Sequence, residues 1–98
     1  MSNAHDELTQ VLTEARRLLA LPENDLTYSG WSDADEALAE IDSLIATVRG
    51  GELPRFTLQA LFAPTGPIQE TSLSSGWSQS FLALAERFDA ALERLERE

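Results

Sequence analysis

The sequence predicts an all-α fold, a four-helix antiparallel bundle made of two helical hairpins, on three observations. Apolar residues recur at spacings of three and four over residues 4–21, 34–48 and 78–97, the period of helices with one buried face. The edges of these stretches carry helix start and stop residues, Ser before the apolar runs and Pro or Gly after two of them. Third, "SGWSDADEALAE" at 29–40 returns as "SGWSQSFLALAE" at 75–86 with eight of twelve positions identical. Each half therefore reads helix, loop, Ser-Gly-Trp-Ser, helix, giving hairpins at 4–50 and 53–97. A chain of 98 residues buries about 60 to 65% of its unfolded surface, enough for one core, so residues 1–98 are read as one domain.

The first helix has Leu8, Val11, Leu12, Ala15, Leu18 and Leu19 on one stripe, with Glu7, Glu14, Arg16 and Arg17 off it. Pro22 stops it, and "PENDLTYSG" forms a loop up to Trp31. Ser32 is read as the N-cap of the second helix, with Asp33, Asp35 and Glu36 in a first turn whose unpaired amides favour negative charge. Its apolar face is Ala34, Leu38, Ile41, Leu44, Ile45 and Val48, and Gly50-Gly51 ends it.

Over 54–63, Leu58, Leu61 and Phe62 fit a helical face, whereas Phe56, Leu58, Ala60 and Phe62 alternate like a strand. A short helix is the better reading, because Pro54 suits a first helical turn and a lone strand has no partner. Pro64, Gly66 and Pro67 then terminate it, and a second long loop is expected up to the final helix. Ser78 is read as the cap of that helix, with Trp77 and Leu82 as a hydrophobic staple. Its stripe is Phe81, Leu84, Ala85, Phe88, Leu92 and Leu95, and Glu93 with Arg97 is a favourable pair one turn apart.

The repeat reads as duplication of a hairpin, with convergence on a favourable helix start as the alternative: Gly supplies an unusual backbone angle, Ser caps and Trp closes the core. In an up-down-up-down bundle alternate connections share an end. Trp31, Trp77, Tyr28 and the loop at 64–67 should therefore gather at one pole and the Gly50-Gly51 turn at the other. Two indoles there serve either as plugs for the end of the core or as a recognition surface.

Composition removes many chemistries. There is no Cys, which excludes disulfides and thiolate sites. The seven basic residues are all Arg, so Schiff-base and phosphate-loop lysines are absent; the single histidine, His5, lies by the terminus, and serines without a base or lysine read as caps and loop residues. No catalytic constellation emerges; a non-enzyme without a cofactor is expected. A net charge of −10 opposes nucleic-acid binding, which draws on phosphate neutralisation. No apolar run is long enough to span a bilayer, and no basic stretch followed by an apolar one opens the chain, so no membrane association and a cytoplasmic location are expected.

Between Arg17 and Arg49 stand seven acids and no base: Glu23, Asp25, Asp33, Asp35, Glu36, Glu40 and Asp42. Such a run is either a solvated face or a docking surface for a basic partner. The expected function is inhibitor- or adaptor-like binding of a basic protein through Asp25, Asp33, Glu36 and Glu40, with Tyr28, Trp31 and Trp77 beside them; a homo-oligomer is compatible with the pattern. The alternative is a metal- or small-ligand-responsive module using the two-tryptophan pole or the loop 25–36, where Asp25, Thr27, Ser29, Gly30, Asp33 and Glu36 fall at positions one, three, five, six, nine and twelve of an EF-hand-like spacing. That spacing departs from a calcium loop at its eighth position, Ser32, and at Pro22, so no metal ligand is assigned.

Overall fold

The computed structural model describes residues 4–97, which are all-helical with no strand among them. The helices are α1 Ala4–Leu19, α2 Ala34–Arg49, α3 Arg55–Phe62, α4 Pro67–Ser75 and α5 Ser78–Arg97. The molecule measures 38 × 23 × 23 Å. A width of 23 Å is about two helix diameters, so the helices can lie only two deep in either direction.

Helix α1 follows its apolar stripe: Leu8, Val11, Leu12, Ala15 and Leu19 are fully buried and Leu18 nearly so. It packs mainly against α2 and α5, so its apolar arc is covered from two sides. It ends at Leu19, short of Pro22, as expected where the residue before a proline is pushed out of the helical region.

Helix α2 buries Ala37, Ile41, Leu44, Ile45 and Val48. Ala34 and Leu38, expected on that stripe, are only half-buried, because the inward face lies closer to Ala37. The N-cap is Asp33, not Ser32: the Asp33 carboxylate accepts the Glu36 N–H at 2.8 Å. Glu36 in turn accepts the Ser32 N–H at 3.1 Å, a capping box displaced by one residue that satisfies two amide donors. At the other end the Gly51 N–H reaches the Val48 carbonyl and the Glu52 N–H the Thr47 carbonyl. That is the Schellman pattern, and its left-handed position is Gly51 at φ 94°; Gly50 stays right-handed.

Residues 55–62 are helical, as the Leu58, Leu61, Phe62 spacing predicts, and those three are buried. The Phe62 ring stacks on Phe88 of α5, with centroids 4.4 Å apart and planes 13° apart.

The second long loop expected after Phe62 is instead largely helix α4, so the described residues hold five helices where the sequence reading expected four. The Pro and Gly read as terminators start a new helix: Gly66 precedes it and Pro67 occupies its first turn, where a missing N–H costs nothing. The helix buries Ile68, Thr71 and Ser72 and packs against α5 and α3. Gly76, left-handed at φ 86°, ends it. Trp77 follows, and its carbonyl accepts the Phe81 N–H at 3.1 Å, which makes Trp77 the residue at the cap position of α5 instead of Ser78. Leu82, expected to staple against Trp77, is 57% exposed, and it is Phe81 that turns inward.

The α3–α4 corner depends on close backbone approach. A Cβ on Gly66 would lie 2.4 Å from the Ala60 carbonyl oxygen and 3.0 and 3.1 Å from those of Leu61 and Ala63. Gly66→Ala is expected to cost about 1 to 3 kcal/mol, since the obstacle is backbone and cannot rotate away. Gly50→Ala meets nothing closer than 3.4 Å at a right-handed φ and should be neutral or stabilising by about 0.5 kcal/mol. Urea denaturation of the two variants measures both; equal stabilities would refute the steric account.

Candidate functional site

The loop 20–33 and the α4–α5 junction are tied together by two hydrogen bonds. The Asp25 N–H donates to Ser75 Oγ at 2.8 Å, and the Trp77 indole Nε1–H donates to Asn24 Oδ1 at 2.9 Å. Asn24 donates its own amide to the Leu18 carbonyl at 2.8 Å, meeting one of the free carbonyls at the end of α1. The start of the loop after α1 and the second Ser-Gly-Trp-Ser segment therefore lie side by side.

Both indoles belong to the interior. Trp31 and Trp77 are each 9% exposed, and each N–H is satisfied, Trp31 by Glu40 Oε2 at 3.0 Å and Trp77 by Asn24. Of the aromatic residues placed at this pole by the sequence, Tyr28 alone is open to solvent, at 71%.

The four acidic candidates are all exposed. Three also hold the local backbone. Asp25 Oδ1 accepts the Thr27 N–H at 3.0 Å and the Thr27 hydroxyl at 2.5 Å, and these bonds hold the Asp25 carboxyl below its ordinary range. Asp33 and Glu36 cap α2 as described above. Glu40 braces the Trp31 ring from α2. The oxygen atoms of the EF-hand-like spacing are thus committed to turns and caps; Ser29 Oγ, for instance, donates to the Leu26 carbonyl and accepts the Trp31 N–H. Among the described residues no group of three or more His, Cys, Asp or Glu is placed to hold a metal ion.

Charge pairing separates this region from the rest. Ion pairs among the described residues join Arg16 to Asp42, Arg17 to Glu14, Arg55 to Glu96, Arg87 to Glu7 and Arg97 to Glu93. Asp42, one of the seven acids in the run, is thereby neutralised by α1. Glu23, Asp25, Asp33, Asp35, Glu36 and Glu40 enter no ion pair among the described residues.

Sequence reasoning missed the surface next to Glu40. An open groove of about 410 Å³ is lined by Glu40, Phe56, Thr57, Ala60, Leu61 and Pro67. Phe56 is 87% exposed. The strand-like alternation of Phe56 with Leu58 was the signal that this aromatic lies off the buried face of α3.

The chain matches no protein-family model, no curated protein sequence and no solved structure. Its functional reading rests on its own geometry. Among the described residues no helix is long and apolar enough to cross a membrane.

Two outcomes test the geometry of the pole. Trp77→Ala should cost about 3 to 5 kcal/mol, the range for a buried large aromatic, and parent tryptophan emission should be blue-shifted and resist iodide; red-shifted, readily quenched emission would contradict the burial. The second concerns acid. Because the folded pKa of Asp25 is lowered, its contribution is complete above its unfolded value and is lost as pH falls through the folded one. Melting temperature followed from neutral pH into the acid limb should therefore fall less in Asp25→Asn than in the parent; parallel curves would remove the Asp25–Thr27 contribution.

Proposed function

We propose that this chain is a binding protein, inhibitor- or adaptor-like and without catalytic activity of its own, that docks a basic protein through the acidic surface running from Glu23 to Glu40. The observation that carries the reading is the imbalance of charge. In α5 the acids Glu86, Glu93 and Glu96 alternate with Arg87, Arg94 and Arg97, so their field largely cancels. On the loop and α2 six acids stand without a cationic partner among the described residues. A single-sign surface raises the encounter rate with an oppositely charged protein and repels wrong partners. Asp25, Asp33, Glu36 and Glu40 are the proposed contact acids, with Tyr28 as the exposed aromatic between them. Trp31 and Trp77 support that surface from beneath, as the burial of both indoles suggests.

The fold reading that accompanies this function is a pair of antiparallel hairpins, supported by the packing of α1 on α2 and of α5 on α1 and α4. Nucleic acid is disfavoured as a partner by the −10 charge.

Testing the function needs acids whose replacement leaves the caps intact. Among the described residues Asp35 and Glu23 make no structural hydrogen bond of the kind that engages Asp33, and both are exposed. With a partner captured from cell extract, association by stopped-flow mixing should slow steeply as salt is added. Asp35→Arg with Glu23→Arg should slow it on the order of tenfold at low salt, and Glu86→Arg should leave it unchanged. Rates indifferent to salt and to the double reversal would reduce the acidic run to a solvated face.

A further inference from the structure

We infer that the groove between α2 and α3 is the anchor pocket for the basic partner, taking an apolar side chain of a segment that also carries Lys or Arg. The inference rests on the docking reading above and adds where that docking is held once encounter has occurred.

Three features of the groove point the same way. Apart from Glu40 and Thr57 the groove is lined by apolar residues: Phe56 stands 87% exposed, and Ala60, the buried Leu61 and the half-buried Pro67 sit beside it. Arg55, the one charged residue of α3, is engaged by Glu96 of α5 and lies outside the lining of this groove, so no cation stands on its floor. Phe56 and Thr57 also border a second depression, of about 540 Å³, with Leu53, Pro54 and Arg55, which makes Phe56 a ridge between two concave surfaces. A lone exposed aromatic is ordinary on a protein surface. One that divides two depressions offers edges on which a neighbouring apolar side chain can lose water from more than one side.

The third feature decides the occupant. Glu40 lines the groove, and the Trp31 indole holds its Oε2 at 3.0 Å, while Oε1 makes no hydrogen bond among the described residues. The carboxylate is fixed in place before any partner arrives, at low further cost in side-chain freedom. One turn earlier on the same helix is Glu36, also exposed. An apolar floor with a fixed acid on its wall selects an apolar side chain flanked by a cation, the pattern of a basic amphipathic segment. A second copy of this chain is a poor occupant, because two molecules of charge −10 would bring their acidic walls together.

The probe is a fluorescent amphipathic helical peptide of lysine and leucine, with leucines on one face, and a control peptide in which those leucines are serine. Phe56→Ser and Ala60→Gln change exposed positions, so both variants should melt at the parent temperature. Each should weaken the leucine peptide about tenfold, at low and at high salt alike and through faster dissociation, and should leave the weak binding of the serine peptide unchanged. Asp35→Arg with Glu23→Arg should instead slow association with both peptides, at low salt only. If the groove variants bind as the parent does while the acid reversals weaken binding, the pocket is overturned and the docking surface stands. If the groove variants weaken binding and the acid reversals do nothing, the docking reading falls and the pocket is left as a purely apolar site. Should the parent self-associate in sedimentation, and Phe56→Ser abolish that, the occupant is a second copy and the inference is overturned.

Discussion

The structure depends on the need to cover α1 from two sides. Leu8, Val11, Leu12, Ala15 and Leu19 are all fully buried, an arc too wide for one neighbouring helix to cover. The chain must return to α1 twice, and it does so with α2 and α5. Both returns are organised close to where α1 ends. Asn24 fixes that geometry with one side chain, its amide on the Leu18 carbonyl and its oxygen under the Trp77 indole. A buried indole N–H without an acceptor would cost about 1 to 3 kcal/mol, so the loop after α1 and the start of α5 hold each other in register. The surface ion pairs between the same helices, Arg16 with Asp42 and Arg87 with Glu7, join partly exposed groups, and such pairs contribute little. Packing and the buried polar contacts carry the fold.

Asp42 pairs with Arg16, and most of the acids at the start of α2 combine a local structural use with an exposed charge. Asp33 and Glu36 have a structural use within one turn of the helix start, and Glu40 has one beneath the Trp31 ring. Each uses only part of its capacity to accept. A carboxylate offers two oxygens and about four lone-pair sites, so the same groups that hold loop and helix still present charge outward. The arrangement is more rigid than a surface of free glutamates, and a pre-ordered charge loses less freedom when a cation meets it.

How much of this was legible in the sequence follows from what each element uses to define itself. Helices α1, α2 and α5 have strong apolar stripes, and a period of 3.6 places every stripe residue of α1 in the core; in α2 and α5 it places most of them, but Ala37 and Ala91 are buried where Ala34, Leu38, Ala85 and Leu95 are only half-buried. Helix α4 has no such stripe. Of its three buried residues two are Thr71 and Ser72, whose hydroxyls are satisfied by the Pro67 and Gln69 carbonyls of the helix itself. A polar residue buried in this way is indistinguishable, by pattern, from one in a loop. The signal that was present is positional: Pro67 at the start and Gly76 just past the end form the asymmetry expected of a helix, and only the preceding Pro64 and Gly66 made it look like a terminator. The cap of α2 was misplaced by one residue because Ser32 and Asp33 are both good caps, and only the hydrogen bond to Glu36 selects between them. The groove could not be read at all, since it exists only where Glu40 of α2, Phe56 of α3 and Pro67 of α4 come together in space.

The repeated twelve residues show most clearly what sequence identity does and does not determine. In both copies the glycine is left-handed, Gly30 at φ 89° and Gly76 at φ 86°, and the tryptophan after it is buried to the same extent. Beyond the tryptophan the copies part. Helix α2 begins three residues after Trp31, whereas α5 begins directly after Trp77. The shared Ala-Leu-Ala-Glu consequently meets the core at different angles: Ala37 is buried and Leu38 half-buried in the first copy, while Ala83 is exposed and Leu84 buried in the second. Ile41, a core residue, corresponds by position to Arg87, which reaches the surface acid Glu7. What the two copies share is the turn that delivers an indole into the core, and the residues downstream of each copy decide its use. In the first, the ring meets Glu40 and leaves that carboxylate fixed on the wall of the groove; in the second, the ring meets Asn24 and locks α5 onto the end of α1. The same motif thus serves the surface in one half of the chain and the core in the other.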